Sequence, residues 1–286
     1  MTRTPGRSDR LSPARRDRAI GGDTRRGVPW PFALLAAAGL IFLGLPLFAL
    51  LERAPWHSLL HILRTEDAGT ALRLSLICAT ASMVTSIVLG VPLAWLLARS
   101  RLPGINVIRA VALLPLVLPP VAGGVALIDA LGRRGLAGRY LDQWFGISLP
   151  FTTTGVVVAE TFVAMPFLIL TVEGALRGVD TGLEEAAATL GAGRWTVLRR
   201  VTLPQIGPSL AAGCVLCWAR ALGEFGATIL FAGSFPGRTE TIPIAISLAI
   251  EQGPGEATAL SVVLLVVSLI ILIGLRDKWL RPGPVS

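Results

Sequence analysis

Lysine is almost missing from this chain. Of 26 basic residues in 286, only Lys278 is not arginine. A loop that cradles nucleotide phosphates reads G-x-x-x-x-G-K-[ST], its lysine reaching the β- and γ-phosphates. Lys278 stands between Asp277 and Trp279, so the chain has no Walker A motif and no ATP-hydrolysing site of that kind. Histidine is as scarce. His57 and His61 have metal-ligand spacing, but a zinc site needs three or four ligands and no third lies nearby. Cysteine is limited to Cys78, Cys214 and Cys217, all inside apolar runs, which excludes a disulfide framework. Cys214 and Cys217 form a C-x-x-C, yet a redox pair belongs at a helix start beside a strand, not within a long apolar segment. No nucleophile–base pairing is visible, so the chain is not read as an enzyme.

Charge is also low. Only 15% of residues are charged and 53% are hydrophobic, whereas soluble domains carry about 25% charged residues. The composition is that of an integral membrane protein. The net charge of +8 comes with no basic stripe interleaved with aromatics, so no nucleic-acid partner is expected. Basic residues flank membrane spans instead.

Residues 1–29 hold eight Arg, three Asp and three Pro and no long apolar run. They read as a disordered basic tail. The twin arginines at Arg25 and Arg26 precede an apolar run, but no small-residue cleavage site follows, so no removed signal is expected. Six apolar segments follow, at about 30–51, 72–98, 105–128, 151–172, 208–233 and 255–275. Each is long enough, at about 1.5 Å per residue, to cross a hydrocarbon core of about 30 Å. The expectation is an all-α integral membrane domain of six transmembrane helices over residues 30–281. With the N-terminus inside, 17 of the Lys and Arg fall on the cytoplasmic side and six outside, so both termini are placed in the cytoplasm. Trp30, Trp95 and Trp279 stand near span ends, where interfacial anchors belong.

That topology puts a polar stretch, TGLEEAAATLGAGRWTVLRRVTLP at 181–204, in the cytoplasm between the fourth and fifth spans. Thr181 and Glu184 have capping-box spacing, Ala186, Ala187 and Ala188 favour helix, and Gly191 suits a left-handed stop. A short helix over 183–190 follows. A second should start near Arg194 and end before Pro204, because the residue preceding a proline disfavours helix. The first helix is too short to be stable alone and needs a partner surface.

At these residues the chain resembles the permeases of ATP-binding-cassette importers. Their signature is E-A-A, three residues, G, nine residues, then I-x-L-P. Here Glu185, Ala186 and Ala187 are followed at the right spacings by Gly191 and by Val201-Thr202-Leu203-Pro204, with valine for isoleucine as the one departure. The resemblance implies a type I importer permease fold with a cytoplasmic coupling helix. Glu184, Glu185, Ala186, Ala187 and Gly191 would couple to a separate ATPase, present in two copies, and Leu203 and Pro204 would set the return to the membrane. ATP and Mg would sit on that partner, leaving this chain without a cofactor.

Two further stretches, LLPLVLPPVAGGVAL at 113–127 and ARALGEFGATILFAGSFPGRTETIPIAI at 219–246, are similar to the molybdate permease family, with sulfate permeases next. The substrate implied is molybdate or tungstate, with sulfate or thiosulfate as the alternative. The implied partners are a second permease chain, as a homodimer or a pair with a similar permease, and a periplasmic or lipid-anchored substrate-binding protein, at the inner membrane of a bacterium.

The residues themselves mark a pathway in outline. Pro119 and Pro120, with Gly123 and Gly124, interrupt the third span, which is tolerated against protein or a water-filled cavity. A packed kink is the equal alternative. Arg220 and Glu224 are four apart and share a face, either as a structural ion pair or as a cationic element beside an anion path. Gly226 and Thr228 offer an amide and a hydroxyl to an oxyanion, or simply pack. Arg238, in an outer loop, would attract anions or contact the binding protein, or be a solvated arginine. An ATP-independent secondary transporter would need coupling-ion acids and an inverted repeat. Only Glu160 and Glu224 lie clearly within spans, and no repeat is visible. A non-transporting scaffold would leave the loop without an ATPase.

Overall fold

A computed structural model describes residues 29–57, 59 and 66–279. The basic tail before Pro29, His61 and everything after Trp279 lie outside the described residues. The chain divides after Ala49 into two units. The first is built on α1, Trp30–Glu52, which buries none of its residues. A helix apolar on every side with no protein cover suits a lipid environment.

The second unit is a helical bundle around α6, Thr153–Arg177. At about 1.5 Å per residue its 25 residues reach about 37 Å. Ala164, Leu168, Ile169, Val172 and Leu176 of α6 are buried against α2, Glu66–Arg99, and α9, Leu203–Leu222. Small side chains permit the close approach: Ala79 and Ala94 on α2, Cys217 and Ala221 on α9. Gly213 is part of it, since a Cβ there would lie 3.0 Å from Leu168 Cδ1. Hydroxyls lock the same contacts: Trp218 Nε1 donates to Thr80 Oγ1 at 3.2 Å, and Thr161 Oγ1 to Ser82 Oγ at 3.2 Å.

Two of the expected spans are broken. The third is α3, Ile105–Leu113, a tight turn at Leu114–Leu116, and α4, Pro120–Leu131, with a bend of 116° between the halves. Pro119 takes an extended backbone and Pro120 opens α4. Proline at a first helical position loses nothing, whereas the residue before it leaves the helical region. The run 208–233 is likewise two pieces. α9 ends at Leu222, and after Gly223–Phe225 a short α10, Gly226–Ala232, begins.

The remaining helices are α5, Gly138–Phe145; α7, Thr181–Thr189; α8, Arg194–Val197; α11, Ile242–Gln252; and α12, Pro254–Trp279. α11 was not expected from the sequence. Its 11 residues are too few to span, and it packs Ala245 and Ala249 against Ala68, Ala71, Ala257 and Leu260. Its first amide, Ile242 N, donates to Ser75 Oγ of α2 at 2.8 Å.

Among the described residues four helical stretches are long and apolar enough to cross a membrane: α1, α2 from Asp67, α6, and Arg194–Leu222. The bent α3–α4 pair makes a fifth when its two halves are counted as one span, and α12 contributes a shorter apolar stretch, Gly255–Ile271.

Candidate functional site

The connection after α6 ends at Asp180, whose Oδ1 accepts from Gly182 N at 2.9 Å and caps α7. The capping box expected from Thr181 and Glu184 does not form. Asp180 places a charged acceptor at the positive end of the helix one residue earlier. Glu184 turns instead to Arg99 Nη2, at 3.0 Å, and Thr202 Oγ1, at 2.7 Å. The stop at Gly191 is as expected: φ is +86°, with Gly191 N bonded to Ala188 O and Ala192 N to Ala187 O.

The second helix does not end before Pro204. α8 passes through a wide π turn, Leu198–Thr202, straight into α9, and Pro204 lies in the first turn of α9. There its missing N–H breaks no established ladder, because the π turn has already shifted the hydrogen-bond register. Glu185, Ala186 and Gly191 are exposed, Ala187 and Leu203 are half-buried, and Pro204 is exposed. Around them stand bare apolar side chains: Leu183, Leu190 at 88% exposure and Trp195 at 67%. These side chains leave an exposed apolar surface beside the Glu185 carboxylate. A second charge cluster lies close by in the chain. Glu173, buried on α6, accepts from Arg109 Nε at 2.8 Å and Arg177 Nη2 at 2.7 Å, while Arg109 Nη2 also bonds Leu97 O at 3.1 Å.

The two broken spans meet. A Cβ on Gly124 would lie 2.9 Å from Leu230 Cβ and 3.2 Å from the Ala227 backbone, and one on Gly226 would lie 3.0 Å from Pro120 Cβ. α4 and α10 are therefore in backbone contact, and glycine is what permits it. Gly123, Gly124, Gly226 and Thr228 are buried in or beside this contact, whereas Pro119 and Pro120 are exposed. Arg220 Nη1 pairs with Glu224 Oε2 at 2.6 Å. The other Glu224 oxygen accepts from Ala227 N at 2.9 Å, so one carboxylate both balances Arg220 and caps α10. Glu224 is 1% exposed. Arg220, 27% exposed, borders a cleft of about 310 Å³ with Pro120, Val121 and Phe225. Two buried oxygens nearby in the bundle, Thr228 Oγ1 and Glu160 Oε2, have no hydrogen-bond partner among the described residues.

Residues 86–283 match the model of the family described as binding-protein-dependent transport system inner membrane component. The chain belongs to this family. It is 48% identical to the molybdenum transport system permease protein ModB of Mycobacterium tuberculosis, over 86% of this chain and 92% of that protein. It is 34% identical to the sulfate transport system permease protein CysT of Escherichia coli, over 91% and 96% respectively. Its fold resembles the crystal structure of a bacterial ABC transporter involved in the import of the acidic polysaccharide alginate. The TM-score there is 0.72 at 21% identity, covering 89% of this chain and 96% of that one. The chain is thus a multi-pass inner-membrane permease of the ABC importer class, with a type I importer permease fold, and is not itself the ATPase.

At the other end of α6 from the loop, the permease has a third feature. A cleft of about 580 Å³ is lined by Arg133, Ser148, Phe151, Thr152 and Arg238, among others. The Arg238 backbone carbonyl accepts from Thr153 Oγ1 at 2.8 Å, which fixes the 233–240 turn to the start of α6. Gly233, at φ +70°, gives room there to Phe151 and Phe235. Arg133 was not singled out from the sequence, since nothing in the spacing of positions 133 and 238 announces that they share a cleft. Arg99 and Thr202 were missed for the same reason. Leu183 and Leu190 had a local signal, as apolar residues on a polar loop helix.

Proposed function

We propose that this permease forms the membrane pathway of an ATP-driven importer for molybdate, with tungstate as a substrate of the same shape and charge. The carrying observation is the 48% identity to a molybdenum permease over nearly the whole chain, against 34% to a sulfate permease over a similar span. Two identical copies face each other, each with one ATPase subunit that holds ATP and Mg, and a periplasmic or lipid-anchored binding protein delivers the anion. Six spans are α1, α2, the bent α3–α4 pair, α6, the α8–α9 rod and α12, within a membrane domain at 30–281 behind a basic tail at 1–29. Both termini and the α7 loop face the cytoplasm, as the distribution of basic residues supports.

In this reading Glu185, Ala186, Ala187 and Gly191, together with Leu183 and Leu190, seat α7 in the ATPase. Leu203 and Pro204 start the rod that carries movement back to the membrane. Pro119, Pro120 and Arg220 face the pathway, while Gly123, Gly124, Gly226 and Thr228 hold α4 and α10 together behind it. Glu224 keeps Arg220 from binding a dianion too tightly for release. Arg133 and Arg238 collect anions or acidic protein surface at the outer mouth. Sulfate import is the second reading, favoured by the coverage of the sulfate relative.

The test is uptake of labelled molybdate by cells lacking this chain, then supplied with it or with its Glu185→Arg variant, each with excess unlabelled sulfate. Rescue that resists sulfate and is lost in the variant is expected. Rescue abolished by sulfate assigns the sulfate branch. No rescue with the partner ATPase and binding protein present removes the oxyanion reading.

A further inference from the structure

We propose that Glu184 is the joint that passes motion of α7 into the spans, and that it is distinct from the surface that docks the ATPase. The inference rests on the permease reading above. Glu184 and Glu185 are neighbours, about 100° apart around the helix, and differ in exposure. Glu185 is exposed. The Glu184 side chain is 19% exposed, and its Oε1 accepts from both Arg99 Nη2 and Thr202 Oγ1. Arg99 closes α2, and Thr202, fully buried, ends the π turn that feeds α9. One oxygen therefore ties α7 to the ends of two spans. Among the described residues no other side-chain hydrogen bond or ion pair joins α7 to a spanning helix.

Packing of α7 on α8 and the π turn accompanies this tie, but Arg99 of α2 is reached by the side-chain bond. Between α7 and the spans lies a cleft of about 550 Å³, lined by Trp95, Ala188, Trp195 and Leu198 besides Glu184 and Thr202. The Glu184 carboxylate lies on the wall of that cleft. A charge-assisted hydrogen bond in a half-buried setting is short and directional, so it transmits both push and pull. From Arg99 the chain of contacts continues inward. Arg109 holds the Leu97 carbonyl, two residues before Arg99, and pairs with Glu173 of the central helix.

The experiment uses the permease with its ATPase and binding protein in proteoliposomes, comparing wild type, Glu184→Gln, Arg99→Gln, Thr202→Val, Glu185→Arg and the charge swap Arg99→Glu/Glu184→Arg. Measured are ATPase co-purification, hydrolysis with and without loaded binding protein, and molybdate taken up per ATP. Glu184→Gln is expected to retain the ATPase within twofold, whereas Glu185→Arg loses it. Uptake per ATP should fall at least tenfold in Glu184→Gln and Arg99→Gln, about threefold in the milder Thr202→Val, and return to at least a third of wild type in the swap. Unchanged uptake per ATP in Glu184→Gln, or loss of the ATPase in that variant, overturns the joint. If wild type binds its ATPase but imports no molybdate, the substrate reading fails alone. The joint is then read from hydrolysis, where Glu184→Gln must abolish stimulation by loaded binding protein, and retained stimulation overturns it.

Discussion

Single positions in this permease carry geometry that a substitution would expose. A side chain at Gly124 meets Leu230 and the Ala227 backbone, and backbone cannot yield as a side-chain tip can. Overpacking of this kind costs about 1–3 kcal/mol. Gly124→Val is therefore expected to lower the melting temperature of the detergent-solubilised protein, while substitution at exposed Gly104 to Asn, a residue that tolerates its φ of +82°, leaves it within a degree or two. The Arg220–Glu224 pair gives a second prediction. Removing either partner alone strands a charge, and Glu224 is the more buried of the two. Breaking such a pair costs about 3–5 kcal/mol, whereas replacing both partners is often close to neutral. Arg220→Gln should melt lowest, because it strands the buried carboxylate. The double variant Arg220→Gln/Glu224→Gln should melt nearer wild type than Arg220→Gln does. A double variant no better than Arg220→Gln would show that Glu224 matters chiefly as the cap of α10.

Elements show which parts of the fold local sequence could announce. The apolar runs, the helix over 181–189 and its stop at Gly191 depend on neighbours three or four residues away, and the sequence displays those. The breaks at 117–119 and 223–225, the short α11 and the rod through Pro204 depend on contacts from elsewhere: the α4–α10 contact, Ser75 on the first amide of α11, and a π turn that relocates the hydrogen-bond ladder. The same division runs through the site. Glu185 to Pro204 were legible as a spaced motif. Arg99 and Thr202 reach Glu184, and Arg133 reaches the cleft with Arg238, only through the fold. Asp180 and Thr181 put the local side of this to a test. A lost cap costs about 1 kcal/mol, or about fivefold in an opening equilibrium. Amides in the first turn of α7 should exchange about fivefold faster with deuterium in Asp180→Ala, and at the wild-type rate in Thr181→Ala. The reverse result would restore the capping box that the Glu184 contacts displace.

At the scale of the whole permease, the central helix α6 is about 37 Å long, a reach of the order of a bilayer's thickness, and a distinct feature stands at each of its ends. The α7 loop follows its C-terminus, and the Arg133–Arg238 cleft surrounds its N-terminus. If the loop meets an ATPase, which hydrolyses cytoplasmic ATP, the cleft must open on the far side, where the binding protein works. The scarcity of cysteine makes this arrangement measurable. Cys78 and Cys217 are buried and Cys214 is half-buried, all within spanning helices, so background labelling by a membrane-impermeant maleimide should be low. Leu190→Cys and Arg238→Cys place single thiols at exposed positions of the two ends. In right-side-out vesicles Arg238→Cys should label and Leu190→Cys should not, with the pattern exchanged in inside-out vesicles. Adding the ATPase to inside-out vesicles should then protect Leu190→Cys and leave the Arg238 position unaffected. Labelling of both from one side would refute the two-ended arrangement, and with it the assignment of α7 as the element that receives the ATPase stroke.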